Sequence, residues 1–310
     1  MAEGAGRAGG GAAAGGEPPL SGLRVAVFCA TGQLGQDLVL ALADHQVLAL
    51  AHDQADVTDA GAVARVLEPF RPDWVVTAAA LHDVDRCEDE PERALRVNAL
   101  GALHVARAAH RLGARTLYVS TDYVFSGKKG SPYLESDLPD PVNAYGASKL
   151  AGEAMVGAAA GPGSLVVRAS GLYGRHPCRG KAGRNFVELM LRLGRERGSV
   201  RVVDDETVSP TSTAHLARAM AGAIAAGTAG VLHLAAAGHC TWLEFARAIF
   251  EEAGMAVEVA RAGPGEFPRK APRPAFSPLA SARVAREGLE PLPHWRDGLG
   301  TYLLGRRSDG

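Results

Sequence analysis

From Leu23 onward the chain alternates short apolar runs with stretches whose apolar residues recur at helical spacing. The runs RVAVF (24–28), VLALA (47–51), DWVVTAAA (73–80), TLYVS (116–120) and SLVVR (164–168) are nearly continuous in apolar residues. That pattern belongs to strands covered on both faces. Between them LGQDLVLALADH (34–45), AGAVARVLEPF (60–70), ERALRVNALGALHVARAAHRLG (92–113) and AYGASKLAGEAMVGAAA (144–160) read as helices. Strand–helix alternation predicts an α/β fold with a doubly wound parallel sheet. VRVV (200–203) and VLHLA (231–235) are expected to extend that sheet.

Past Arg168 the texture changes. GLYGRHPCRGKAGRNF (171–186) and ARAGPGEFPRKAPRPAFSPLAS (260–281) cluster Gly, Pro and Arg. Loops of that length beside a rigid sheet either shape a ligand site or serve as plain surface connections; the first is expected here. The organisation predicted is a Rossmann-like domain over 23–170 and a smaller, discontinuous substrate-binding lobe mainly over 171–310. Residues 1–22, almost all Ala and Gly, read as a disordered tail with no apolar run suited to a secretory signal.

Composition narrows the partners. Lys plus Arg number 33 against 34 Asp plus Glu, a net charge of -1, so the basic excess of a nucleic-acid binder is missing. No apolar stretch approaches the ~20 residues of a membrane span. Cys29, Cys87, Cys178 and Cys240 form no C-x-x-C pair and read as thiols of a reducing cytoplasm. The histidines, among them His82, His215, His233 and His294, lack metal-ligand spacing, and no metal site is expected.

The chemistry begins with CATGQLG (29–35), directly after the first strand. Gly32 would let the backbone approach a pyrophosphate and Gly35 would let the helix pack close to the strand. The helix start near Gln33 would point free N–H groups at the phosphates. Farther on, Asp56 is either a partner for an adenine amino group or the cap of the following helix. Tyr145 and Lys149, four apart at the start of a helix, share one face. A nearby ammonium is expected to lower the phenol's pKa. Thr121 ends a parallel strand, where ligands bind in open α/β sheets. Thr, Tyr and Lys on a dinucleotide fold are the equipment for hydride transfer to a carbonyl.

These residues, with the AAA after the third strand, Asn98, STDYVF (120–125) and YGASKLAGE (145–153), resemble the extended short-chain dehydrogenase/reductases. Within them the likeness is to the dTDP-4-dehydrorhamnose reductases, and it runs from Leu23 to about Leu304. VDRCEDEPERALRVN, RNFVELMLRLGRER, VVDDETVSPTST, CTWLEFARAIFEEAG and LPHWRDGL add to it. The resemblance implies reduction of the 4-keto group of a dTDP-4-dehydro-6-deoxy sugar by NADPH or NADH, with Thr121, Tyr145 and Lys149 catalytic. It implies cofactor contacts from Gly32, Gln33, Leu34, Gly35, Asp56, Val57, Ala78, Ala79, Ala80, Asn98, Tyr145 and Lys149. The sugar nucleotide is expected against Thr121, Asp122, Tyr123, Phe125, Tyr145, Gly171 and Asn185. A cytoplasmic homodimer fits this reading, and nothing in the sequence supports Mg²⁺.

Three positions depart from the family pattern. Cys29 stands at the first turn glycine, and Ala51 where relatives often carry a strand-end Asp. The second departure predicts that NADPH is accepted at least as well as NADH, since no carboxylate there repels a 2′-phosphate. Gly171 replaces a tryptophan that lies against the sugar, so Leu172, Tyr173 or Phe186 is expected to fill the gap or the pocket to be more open. Two other readings compete. A dehydratase would carry Glu where Tyr123 stands, and a non-catalytic regulator similar to the β subunit of methionine adenosyltransferase would share the fold.

Overall fold

In a strand successive side chains point to opposite faces, so a strand buried on both sides feeds two cores. The computed structural model describes residues 22–177, 183, 185–263 and 265–307; of the tail read over 1–22, all but Gly22 lies outside them. The first half runs β1 (Arg24–Phe28), α1 (Gln33–Ala41), β2 (Gln46–Leu50), α2 (Ala60–Phe70), β3 (Trp74–Thr77), α3 (Val84–Asp89) and α4 (Pro91–Leu95). It continues through α5 (Gly101–Arg111), β4 (Arg115–Thr121), α6 (Ala144–Ala160) and β5 (Leu165–Ala169). The second half opens with β6 (Leu172–Tyr173), α7 (Phe186–Arg197), β7 (Ser199–Val202), β8 (Thr207–Val208), β9 (Thr211–Ser212) and α8 (Thr213–Ala225). It closes with β10 (Gly230–His233), β11 (Cys240–Thr241), α9 (Trp242–Ala253), β12 (Glu258–Arg261) and α10 (Trp295–Arg307).

Six strands form one parallel sheet in the order β10-β5-β4-β3-β1-β2. Val25, Val27, Val76 and Leu117 pack on one face against Leu34, Leu38, Leu216 and Met220 of α1 and α8. Ala26, Phe28 and Val75 pack on the other against Val63, Leu67, Val105 and Ala109 of α2 and α5. Each such Val or Leu contributes roughly 1.5–3 kcal/mol by leaving water, which is why continuous apolar runs settle as central strands. The chain leaves β1 for β2 on one side and β3 on the other. The crevice above their carboxyl ends is thus a topological switch point, where open α/β sheets bind ligands.

The expected α/β class holds, with two differences in detail. VRVV does not join the central sheet: β7 pairs with β12, which the sequence pattern left as loop. In β7 only Val200 and Val202 are buried while Ser199 and Arg201 are exposed, so this strand has one dry face. A strand in the doubly covered sheet would have to bury the Arg201 charge. The helix expected over 92–113 is helical from Pro91 to Arg111, but a π-turn widens it over Arg96–Leu100. A separate core of Tyr173, Leu191, Phe245, Ile249, Trp295 and Leu299 holds α7, α9 and α10 together beside the sheet.

Candidate active site

The phosphate turn is tight because its glycines leave no room for anything else. A Cβ on Gly35 would lie 2.2 Å from the Cys29 carbonyl oxygen, inside the turn's own backbone. Cys29 itself sits at φ 63, the left-handed region that glycine occupies cheaply. Gly32, at the N-cap of α1, has no side chain of its own to place over the first N–H groups of the helix. An uncapped N-terminus over a glycine cradle fits the pyrophosphate of a dinucleotide. Gln33 spends its amide on Gly174 and His176 carbonyls at 3.3 and 3.1 Å, and Leu34 is buried in the core; only their backbone faces the turn.

A cleft of about 810 Å³ continues from Cys29 across the ends of β2 and β3, lined by Asp56, Val57, Ala79, Ala80 and Arg96. Ala78 precedes this lining, its N–H on the Phe28 carbonyl at 3.4 Å. Asp56 is not the cap of α2: Asp59 accepts from the Gly61 and Ala62 N–H groups. Asp56 instead accepts from the Thr58 N–H and hydroxyl at 2.9 Å each and stands 4.0 Å from His52, at the cleft wall. Asn98 departs from expectation. It is wholly buried, and its amide bonds the Leu81 backbone at 2.8 and 3.0 Å and Ser148 at 2.9 Å. It pins the end of β3 to α6 and offers no atom to a cofactor.

At the carboxyl end of β4 stands Thr121, and α6 carries Tyr145 and Lys149. Asn143 fixes the start of α6, accepting from the Gly146 N–H at 2.8 Å and donating to the Pro272 carbonyl at 2.9 Å. Tyr145 lies close enough to the Thr121 hydroxyl to feel it and meets the edge of Tyr123 with ring centroids 5.8 Å apart. Lys149 is 2% exposed, its ammonium 4.0 Å from the centroid of the Tyr118 ring. Burial pulls Lys149 down to about 7, opposed by the Glu153 carboxylate one turn along. Glu153 is in turn clamped by Arg168 at 2.7 and 2.9 Å and by Ser120. The expected lowering of Tyr145 is not found. Burial pushes the phenol up, with Asp122 and Cys87 adding to it, and Thr121 alone opposes.

Of the residues expected to meet the sugar nucleotide, Tyr123 is half-buried beside Tyr145, while four others do different work. Asp122 is 3% exposed and lies beneath the site, bonded to Thr121 at 3.2 Å, Ser170 at 3.1 Å and Ser277 at 2.5 Å. Burial pushes its carboxyl up to about 6, against those three hydroxyls. Phe125 is fully buried, stacked on Tyr133 at 4.1 Å, and cannot touch a ligand. Asn185 caps α7 through the Glu188 N–H at 3.0 Å and donates to the Gly174 carbonyl at 2.6 Å, which uses both amide atoms. Gly171 has φ 57, and a Cβ there would lie 3.1 Å from Pro210 Cα, so a tryptophan at this position would be strained. Tyr173 lies in the small-lobe core and Leu172 packs on the sheet core. Of the three candidates to fill the gap, Phe186 is the half-buried aromatic, 4.7 Å from Trp242. Trp242 in turn donates to Glu206 at 3.2 Å.

Sequence reasoning missed Ser170, Ser277, Trp242 and Glu206. Trp242 left a signal, since Thr241 and Glu244 form a capping box that places it at the start of α9. No cluster of three metal-ligating groups stands among the described residues, and none of their helices is long and apolar enough to cross a membrane.

Comparison with known proteins agrees with this geometry. The RmlD substrate binding domain family matches residues 23–306. A dTDP-4-dehydrorhamnose reductase of Mycobacterium tuberculosis is 43% identical over 90% of this chain and 92% of its own. A spore coat polysaccharide biosynthesis protein of Bacillus subtilis is 38% identical over 92% and 98%. The crystal structure of a dTDP-4-dehydrorhamnose reductase from Bacillus anthracis in complex with NADP superposes with a TM-score of 0.87 at 36% identity. It covers 92% of this chain and 99% of that one. The chain belongs to the RmlD substrate-binding family, that of the dTDP-4-dehydrorhamnose reductases.

Proposed function

We propose that this protein reduces the 4-keto group of a dTDP-4-dehydro-6-deoxy sugar, dTDP-4-dehydro-L-rhamnose giving dTDP-L-rhamnose, with NADPH or NADH. The observation that carries the reading is the grouping of Thr121 at the carboxyl end of β4 with Tyr145 and, one turn along α6, buried Lys149. The bound cofactor supplies the hydride. Tyr145, held protonated by its burial, gives its proton to the oxygen formed at C4. Such positioned proton transfer is worth ~10²–10⁴ in rate. Thr121 places the phenol, and charged Lys149 stabilises the phenolate left behind.

Gly32, Gly35 and the first N–H groups of α1 hold the pyrophosphate. Asp56, Val57, Ala79 and Ala80 line the adenosine end, where His52 and Arg96 suit a 2′-phosphate. Tyr123 lies against the sugar, and the Phe186–Trp242 pair takes the place of the aromatic face absent at Gly171. Residues 23–170 form the cofactor domain and 171–310 mainly the substrate lobe, in a cytoplasmic enzyme. Nicotinamide absorbance followed with the keto sugar tests the reading: steady oxidation is expected, and binding without turnover would favour the regulatory alternative.

A further inference from the structure

Thr121 cannot place Tyr145 unless something places Thr121. Its hydroxyl accepts from the Tyr123 N–H at 3.2 Å and stands beside Tyr145. It has one proton to give, and that proton goes to the Asp122 carboxylate at 3.2 Å. Asp122 is held in turn by Ser170, which follows β5, and by Ser277 at 2.5 Å, 155 residues away in the C-terminal segment. Ser170 and Ser277 are 1% and 0% exposed. The segment carrying Ser277 is itself tied down, its N–H on the Thr207 carbonyl and Phe276 bridged to Thr207. A carboxylate in this cage reaches no substrate, yet it holds the hydroxyl that stands beside Tyr145.

We infer that Asp122 is a positioning residue of the active site: anchored by Ser170 and Ser277, it fixes the Thr121 hydroxyl beside Tyr145. The C-terminal segment thereby completes the catalytic centre. This goes beyond the reductase reading while resting on it for the reaction. An ionised acceptor holds a hydroxyl about twice as strongly as a neutral one. The anchor needs an oxygen at this point, not a proton donor.

Kinetics of Asp122→Ala, Asp122→Asn and Ser277→Ala, each alone and with Thr121→Val, test the inference. Asp122→Ala is expected to lower kcat at least tenfold with the KM for NADPH within twofold. Asp122→Asn, which keeps one of the two acceptor oxygens and no charge, is expected to recover part of the kcat that Asp122→Ala loses. Ser277→Ala is expected to lower kcat two- to threefold, and beside Thr121→Val each change should add less than twofold. Full loss from Asp122→Ala in the Thr121→Val background, or an Asn variant as damaged as the Ala variant, would overturn the inference. Melting temperatures of the same set separate it from the reductase reading. If the parent turns over no keto sugar, that reading fails, whereas Tm shifts for Thr121→Val and Asp122→Ala that simply add would overturn the anchor itself.

Discussion

The Tyr145 site and the cleft at the ends of β2 and β3 are built on opposite terms. At the Tyr145 site Thr121, Asp122 and Lys149 are 6, 3 and 2% exposed, and each is tied to the core around it. In the cleft at the ends of β2 and β3 the wall is made of backbone, small side chains and exposed polar groups such as His52 and Arg96. Buried polar groups act in a low dielectric, where displacing one by an ångström costs a large factor in rate. Exposed charges act through water and salt and cost little when lost. On the proposed function, chemistry is concentrated at the Tyr145 site and cofactor affinity is spread along the cleft. Substitutions should sort by region: large effects on kcat at the first, small effects on binding at the second.

The largest effect is expected from Tyr145→Phe, which removes the proton donor without disturbing the fold. Reductase activity should fall ~10²–10⁴-fold with cofactor affinity unchanged, measured by steady-state kinetics and cofactor titration. Activity within a few-fold of the parent would move the chemistry elsewhere.

Lys149 comes next, and it sharpens the comparison through pH. Burial lowers its pKa from 10.5 to about 7, so the folded protein holds this proton less tightly than the unfolded chain. Between about pH 7 and 10 the unfolded state binds the extra proton, and this group's destabilising effect shrinks as pH rises. Lys149→Met should therefore raise Tm at pH 6 and raise it less at pH 9, while kcat and cofactor affinity both fall. In the parent, kcat/KM should decline as pH rises through about 7, where the ammonium is lost.

Smaller effects belong to the open cleft. Arg96→Ala should weaken NADPH binding a few-fold and leave NADH binding unchanged, read by titration with each cofactor. An equal loss for both would show that Arg96 meets no 2′-phosphate. The smallest is Cys29→Gly, which relieves a left-handed backbone position and should stabilise by about 1 kcal/mol, roughly 2–4 °C in Tm.

Much of the fold was legible because burial on both faces writes itself as apolar continuity. RVAVF and AGAVARVLEPF coincide with β1 and α2 residue for residue. VRVV misled because four residues cannot say whether one face or two will be covered, and β12, with two exposed ends, carried too little apolar pattern to read. In the site, Tyr145 and Lys149 were legible from helical spacing. Asn98, Phe125 and Asn185 were placed by family pattern, which marks a position without saying where its side chain points. All three serve the scaffold beneath the cleft. Ser277 was illegible, since its bond to Asp122 spans 155 residues and only the folded chain brings them together.

The central claim is that a hydride reaches C4 of the sugar and a Tyr145 proton reaches its oxygen. It is tested most directly with NADPH deuterated at its transferable position and dTDP-4-dehydro-L-rhamnose, the product being examined by NMR. The account predicts one deuterium at C4 of dTDP-L-rhamnose from the parent protein, and the same product formed ~10²–10⁴-fold more slowly by Tyr145→Phe. NADPH bound but unconsumed, or deuterium at another carbon, would contradict it.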